Sequence, residues 1–85
     1  MEEYPSAGRA EGMNAMRYAI IIEKAGDNWS AYAPDLPGCI AAGDTVEETR
    51  ELMREAIEMH LAGMREDGDP IPPPKVQVHY IDVAA

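Results

Sequence analysis

The chain has 85 residues, one cysteine, and 16 acidic against 7 basic side chains, for a formal net charge of −9. That length allows a single domain, which buries only about 60% of its unfolded surface and so has a marginal core. One thiol excludes an internal disulfide, the missing basic face disfavours direct nucleic-acid binding, and no apolar run approaches the roughly 18 residues of a membrane span.

Residues 1–15 are rich in Glu, Gly, Ala and Ser without a period, and are expected to be a disordered leader to a folded domain at 16–85. Met1-Glu2-Glu3-Tyr4-Pro5 is acidic and unlike an export signal; with the single thiol it points to the cytoplasm. Arg17 to Lys24 reads as the first strand, with Tyr18, Ile20 and Ile22 on one face and Ala19 and Ile21 on the other. A strand apolar on both faces is expected to be central and covered on both sides. Gly26-Asp27-Asn28 is a hairpin turn, and Trp29 to Ala33 is the second strand.

Pro34 and Pro37 cannot donate ladder bonds, and Gly38 frees the backbone, so 34–38 is a turn and Cys39 to Ala42 a short third strand. Thr45-Val46-Glu47-Glu48 is a capping box that starts a helix running to about Glu66. Val46, Thr49, Met53, Ala56, Ile57, His60, Leu61 and Met64 form its apolar stripe, and Gly68 marks its C-cap. After the stiff Ile71-Pro72-Pro73-Pro74 link, Lys75 to Val83 alternates as a last strand, Val76, Val78 and Tyr80 against Gln77, His79 and Ile81. The fold class is therefore α+β: β-β-β-α-β, a mixed four-stranded sheet in the order 3-2-1-4, with the last strand parallel to the first and one helix on one face. One helix covers one face only, so a second copy or another protein is expected on the other, with Ala19, Ile21, Gln77, His79 and Ile81 as the seam of a homo-oligomer, dimer or tetramer. His79 in such a seam would make the assembly pH-sensitive.

No residues suggest catalysis. Glu23 and Asp82 meet only if their strands pair, and both sit at strand ends, short of the converging carboxylates a two-metal nuclease needs. Cys39, His60 and His79 lack metal-ligand spacing, and no cofactor is expected. Cys39 reads as a small buried residue and His60 as a core or rim histidine. Asp35 either caps its own turn or meets a basic partner, and Leu36 is either a core anchor or a plug for a partner pocket.

The Met16-Arg17-Tyr18 start, the Ala33-Pro34-Asp35-Leu36-Pro37-Gly38-Cys39 turn, Gly43-Asp44-Thr45, and Glu47-Glu48 opening the helix resemble the HicB family of antitoxins over about residues 16–83. The resemblance implies a truncated RNase H-like domain that oligomerises and binds a small basic RNA-targeting toxin, HicA. Many members carry a further C-terminal DNA-binding domain; here the sequence ends at Ala85 after the last strand, so no operator binding is expected. The function expected is that of a non-enzymatic antitoxin that covers the toxin's RNA-binding face, using Asp27, Asp35, Leu36, Asp44, Glu47, Glu51 and Glu55. The alternative is a solitary oligomeric structural or adaptor module with no toxin.

Overall fold

The computed structural model describes residues 15–85; the expected leader lies outside the described residues but for Ala15. Three strands, β1 (Ile21–Ala25), β2 (Asn28–Tyr32) and β3 (Ile40–Gly43), form an antiparallel sheet in the order β1-β2-β3, and α1 (Val46–Asp67) packs on one face.

The β1–β2 hairpin closes on the two residues between Ala25 and Asn28, with Gly26 at φ 65°, the positive value a tight hairpin turn demands. Opposite Ala25–Asn28, the pairing runs to Ile21–Tyr32 and stops. Beyond Tyr32 the chain turns: Leu36 N–H donates to Ala33 O (3.0 Å) and Cys39 N–H to Leu36 O (3.1 Å), with Gly38 at φ 86°. This turn shortens β1, expected from residue 17: the chain at 17–20 has no β2 residue opposite it.

The register sorts side chains by face. Ile22, Ala31 and Ala41 align under the helix, while Ile21, Tyr32 and Ile40 align on the opposite face. The core gathers Ala31, Ala33, Leu36, Cys39, Met53 and Leu61, with Tyr18, Ile20, Ile22, Ala56, Ile57, Met64 and Ile71 packed around it. Leu36 and Met53 are fully buried. Lys24 Nζ lies 5.2 Å from the Trp29 ring centroid across the hairpin.

The helix starts as its sequence dictates. Thr45 is extended (φ −132°, ψ 164°) and its hydroxyl accepts from Glu48 N–H at 3.0 Å. Glu48 Oε1 accepts from Asp44 N–H at 2.8 Å, one residue before the cap. Gly43 stands where β3 meets the helix; a Cβ there would lie 2.8 Å from Thr49 Oγ1 and 3.1 Å from Thr49 N. The helix ends at Gly68 (φ 74°, ψ 17°), with Gly68 N–H on Arg65 O and Asp69 N–H on Met64 O at 2.9 Å, a Schellman closure. Val46, expected on the buried stripe, is exposed at the first turn.

The fourth strand expected at 75–83 forms no ladder with β1, so the order 3-2-1-4 reduces to three strands. The reason lies at the root of this segment. Asp35 Oδ2 accepts from both Lys75 N–H (2.9 Å) and Val76 N–H (3.1 Å), which removes the first two ladder donors, and the preceding three prolines have none. Successive amides in a strand point to opposite sides, so two aimed at one oxygen are not strand geometry. Glu23 and Asp82 are accordingly not brought together by strand pairing.

Candidate partner-binding surface

Among the described residues β1 and β3 are the edge strands of the sheet, and a groove borders β3. On the β3 side, Ile40, Ala41 and Ala42 face Leu52, Glu55, Ala56, Met59 and His60 around a shallow groove of about 500 Å³. Met59 is 74% exposed and Ile40 69%. Glu48, Leu52, Glu55 and Met59 recur at helical spacing and so share one exposed stripe beside β3, with Glu47, Glu51 and Glu58 on the stripe next to it. Large apolar side chains rimmed by carboxylates suit a partner that is basic and has apolar contacts of its own.

The carboxylates are not equivalent. Arg54 pairs with Glu51 and with Glu58 (2.7 Å), and its hydrogen bonds hold the Glu51 carboxyl below the usual range. All three are exposed, so the pairs add little stability. Glu47 and Glu55 are exposed at the helix surface, and Asp27 at the tip of the β1–β2 turn. Asp44 is exposed too, its amide held by Glu48 in the capping box.

Two expected contact residues have other duties. Leu36 is wholly buried, so it is the core anchor and not a plug. Asp35 does not cap its own turn; its carboxylate accepts from the amides of residues 75 and 76. The turn amides of Leu36 and Cys39 are already satisfied by backbone carbonyls, which leaves this side chain for a segment 40 residues away. Nothing in local spacing could have revealed that bond. Tyr18 reinforces it: its hydroxyl donates to Pro72 O at 2.5 Å. Burial, then the Asp35 charge, pushes the Tyr18 phenol up, against a smaller opposing pull from Arg65.

Of the residues expected at an oligomer seam, Ile21 lies on the face opposite the helix beside Tyr32 and Ile40. Gln77, His79 and Ile81 are exposed on the segment past the Asp35 clamp, His79 Nε2 lying 2.9 Å from Gln77 Oε1. Within one chain no ladder joins this group to Ala19 and Ile21. Cys39 is buried, which pushes its thiol up, as expected of a structural cysteine. Among the described residues no three of His, Cys, Asp and Glu converge as metal ligands, and no helix is long and apolar enough to cross a membrane.

Residues 18–83 match the family model described as the HicB-like antitoxin of bacterial toxin–antitoxin systems. An uncharacterised 14.9 kDa protein from the rep–hol intergenic region of Haemophilus phage HP1 is 42% identical over 67 residues, 79% of this chain and 50% of that protein, so the chain spans half the phage protein's length. UPF0150 proteins of Synechocystis and Archaeoglobus fulgidus are 36% identical over 56 residues and 39% over 57, covering 65% and 64% of this chain and 71% and 83% of theirs. Among solved structures, a chain of a HicA3–HicB3 toxin–antitoxin complex superposes with a TM-score of 0.61 at 35% identity, covering 69% of this chain and 70% of that one. By these matches over most of its folded part, the chain belongs to the HicB-like antitoxin family of bacterial toxin–antitoxin systems.

Proposed function

We propose that this protein neutralises a small basic RNA-targeting toxin of the HicA type by seating it on the α1–β3 surface and covering its RNA-binding face. The observation that carries this reading is the exposed stripe Leu52–Glu55–Met59 of α1 beside the β3 edge. The apolar side chains supply contact area, and the carboxylates compete for the cationic groups that would otherwise hold RNA phosphates. Asp27, Asp44, Glu47 and Glu51 extend the negative field that steers a basic protein inward. The net charge of −9 supports a role without direct nucleic-acid contact. In this reading the domain is a truncated RNase H-like unit that works in the cytoplasm.

The test is binding to a small basic protein encoded beside this gene, read by calorimetry and by protection of RNA from that protein. Glu51→Lys with Glu55→Lys, and separately Met59→Glu, should weaken both. Full protection by both variants would place the interface elsewhere. Lack of any such neighbour, with the chain purifying only with itself, would favour the solitary-module reading, which the bare apolar face at Tyr32 and Ile40 also suits.

A further inference from the structure

The stripe of α1 that packs on the sheet carries one ionisable side chain, His60. It is half-buried, with Ala56 one turn before it and Met64 one turn after. Its ring makes no hydrogen bond or ion pair among the described residues, unlike His79, which reaches Gln77. It lines the β3–α1 groove, beside the exposed Met59 and Ile40. A neutral imidazole has one N–H donor and one bare nitrogen acceptor. A partner closing over the groove removes the water that serves them and must supply a replacement.

We propose that His60, in its neutral form, accepts a hydrogen bond from a cationic or amide N–H group of the basic partner seated on this groove, and that its protonation releases that partner as pH falls. The proposal rests on the docking of a basic protein at the α1–β3 surface and adds a contact residue and a control to it.

The charges around the ring set the sign. Glu55 is the one charged side chain in the groove lining, and it has no cationic partner among the described residues. The turn and β3 contribute Gly38, Cys39, Ile40, Ala41 and Ala42, of which only Cys39 titrates; burial pushes its thiol up, so it stays neutral. The helical neighbours Ala56, Ile57, Gly63 and Met64 carry no charge. The groove lining is therefore −1 with a neutral His60 and zero with an imidazolium. Protonation both removes the acceptor and cancels the charge that attracts a cation. Affinity is kept above the range in which the ring titrates and lost below it.

The test is the affinity for the small basic protein encoded beside the gene, measured by calorimetry in steps from about pH 8 to about pH 5, the range in which imidazoles change charge. The unaltered chain should bind at least about 10-fold more weakly at the acid end. Acid also protonates groups elsewhere in both proteins, so the decisive quantity is the difference from His60→Gln, whose amide oxygen accepts a hydrogen bond and takes up no proton. That variant should bind within about 3-fold of the unaltered chain at the alkaline end and lose much less affinity at the acid end. His60→Leu, which strands the partner's donor, should bind about 10-fold more weakly at the alkaline end. Helical dichroism checks that each variant folds. Proton NMR of the unaltered chain supplies a readout free of substitutions: the titration of the His60 ring should move to lower pH on complex formation, while that of His79, exposed on the C-terminal arm at 75–83, should not. Parallel pH profiles for the unaltered chain and His60→Gln, or a His60 titration unmoved by the partner, overturn the proposal and leave partner binding intact. A chain that binds no such protein at any pH overturns both the proposal and the docking on which it rests.

Discussion

Removing the Asp35 carboxylate should free the arm at its root while leaving the domain folded. Asp35 Oδ2 accepts two backbone amides, at 2.9 and 3.1 Å, from residues that no other hydrogen bond ties to the sheet. Hydrogen bonds to a charged group contribute about 1.5–3 kcal/mol when shielded. This carboxylate is only half-buried, so about 1–2 kcal/mol for the pair is the reasonable scale. At roughly 1.4 kcal/mol per tenfold, Asp35→Ala should speed amide exchange at Lys75 and Val76 about 5- to 30-fold. Asp35→Asn, which keeps an acceptor but not the charge, should fall between. Exchange is the right assay because a melting curve reports the core, which the clamp touches only at its margin. A second readout is independent: the Asp35 charge helps keep the Tyr18 phenol up, so both variants should lower the Tyr18 pKa in an ultraviolet titration, with burial still holding it above the ordinary value. Unchanged exchange at residues 75 and 76 in Asp35→Ala would refute the clamp.

Leu36→Ala should cost about 2–5 kcal/mol, lowering the urea midpoint without changing the slope; a cost under about 1 kcal/mol would contradict its place in the core. Gly43→Ala places a Cβ 2.8 Å from Thr49 Oγ1 and should destabilise by about 1–3 kcal/mol, with helical dichroism reporting displacement of the first turn. Tyr18→Phe should lose about 1 kcal/mol at neutral pH through the Pro72 bond, measured by urea denaturation. It should also abolish a fall in stability above about pH 10. There the unfolded tyrosine has lost its proton while the folded one, with its raised pKa, keeps it, so stability declines as pH rises.

Much of this architecture was legible in the sequence because it rests on neighbours in the chain. Thr45 and Glu48 announced the helix start, Gly68 its end, and Gly26-Asp27 the hairpin, each through a bond or dihedral set within a few residues. The alternation of Tyr18, Ile20 and Ile22 correctly assigned the helix-facing side of the first strand. The misreadings arise where the deciding partner is distant. Residues 75–83 have a strand's pattern, but a ladder also needs free amides, and Asp35 takes two of them from 40 residues away. Leu36 was ambiguous because its burial depends on Met53 and Leu61 arriving from the helix. Helical spacing offers Arg54 to both Glu51 and Glu58, and both pairs form, whereas the equally spaced Glu47–Arg50 pair does not form among the described residues, because spacing alone does not fix side-chain rotamers.

The Lys24–Trp29 contact gives the molecule a built-in optical reporter. Trp29 is the chain's single indole, and it sits on the hairpin under an ammonium group, remote in sequence from the arm. Its emission therefore follows the integrity of the β1–β2 ribbon, while Tyr18 and Tyr80 mark the root and the outer part of the arm. Tyr32 belongs to the same ribbon and Tyr4 lies outside the described residues, so the indole is the chromophore that reads hairpin opening in an unlabelled sample.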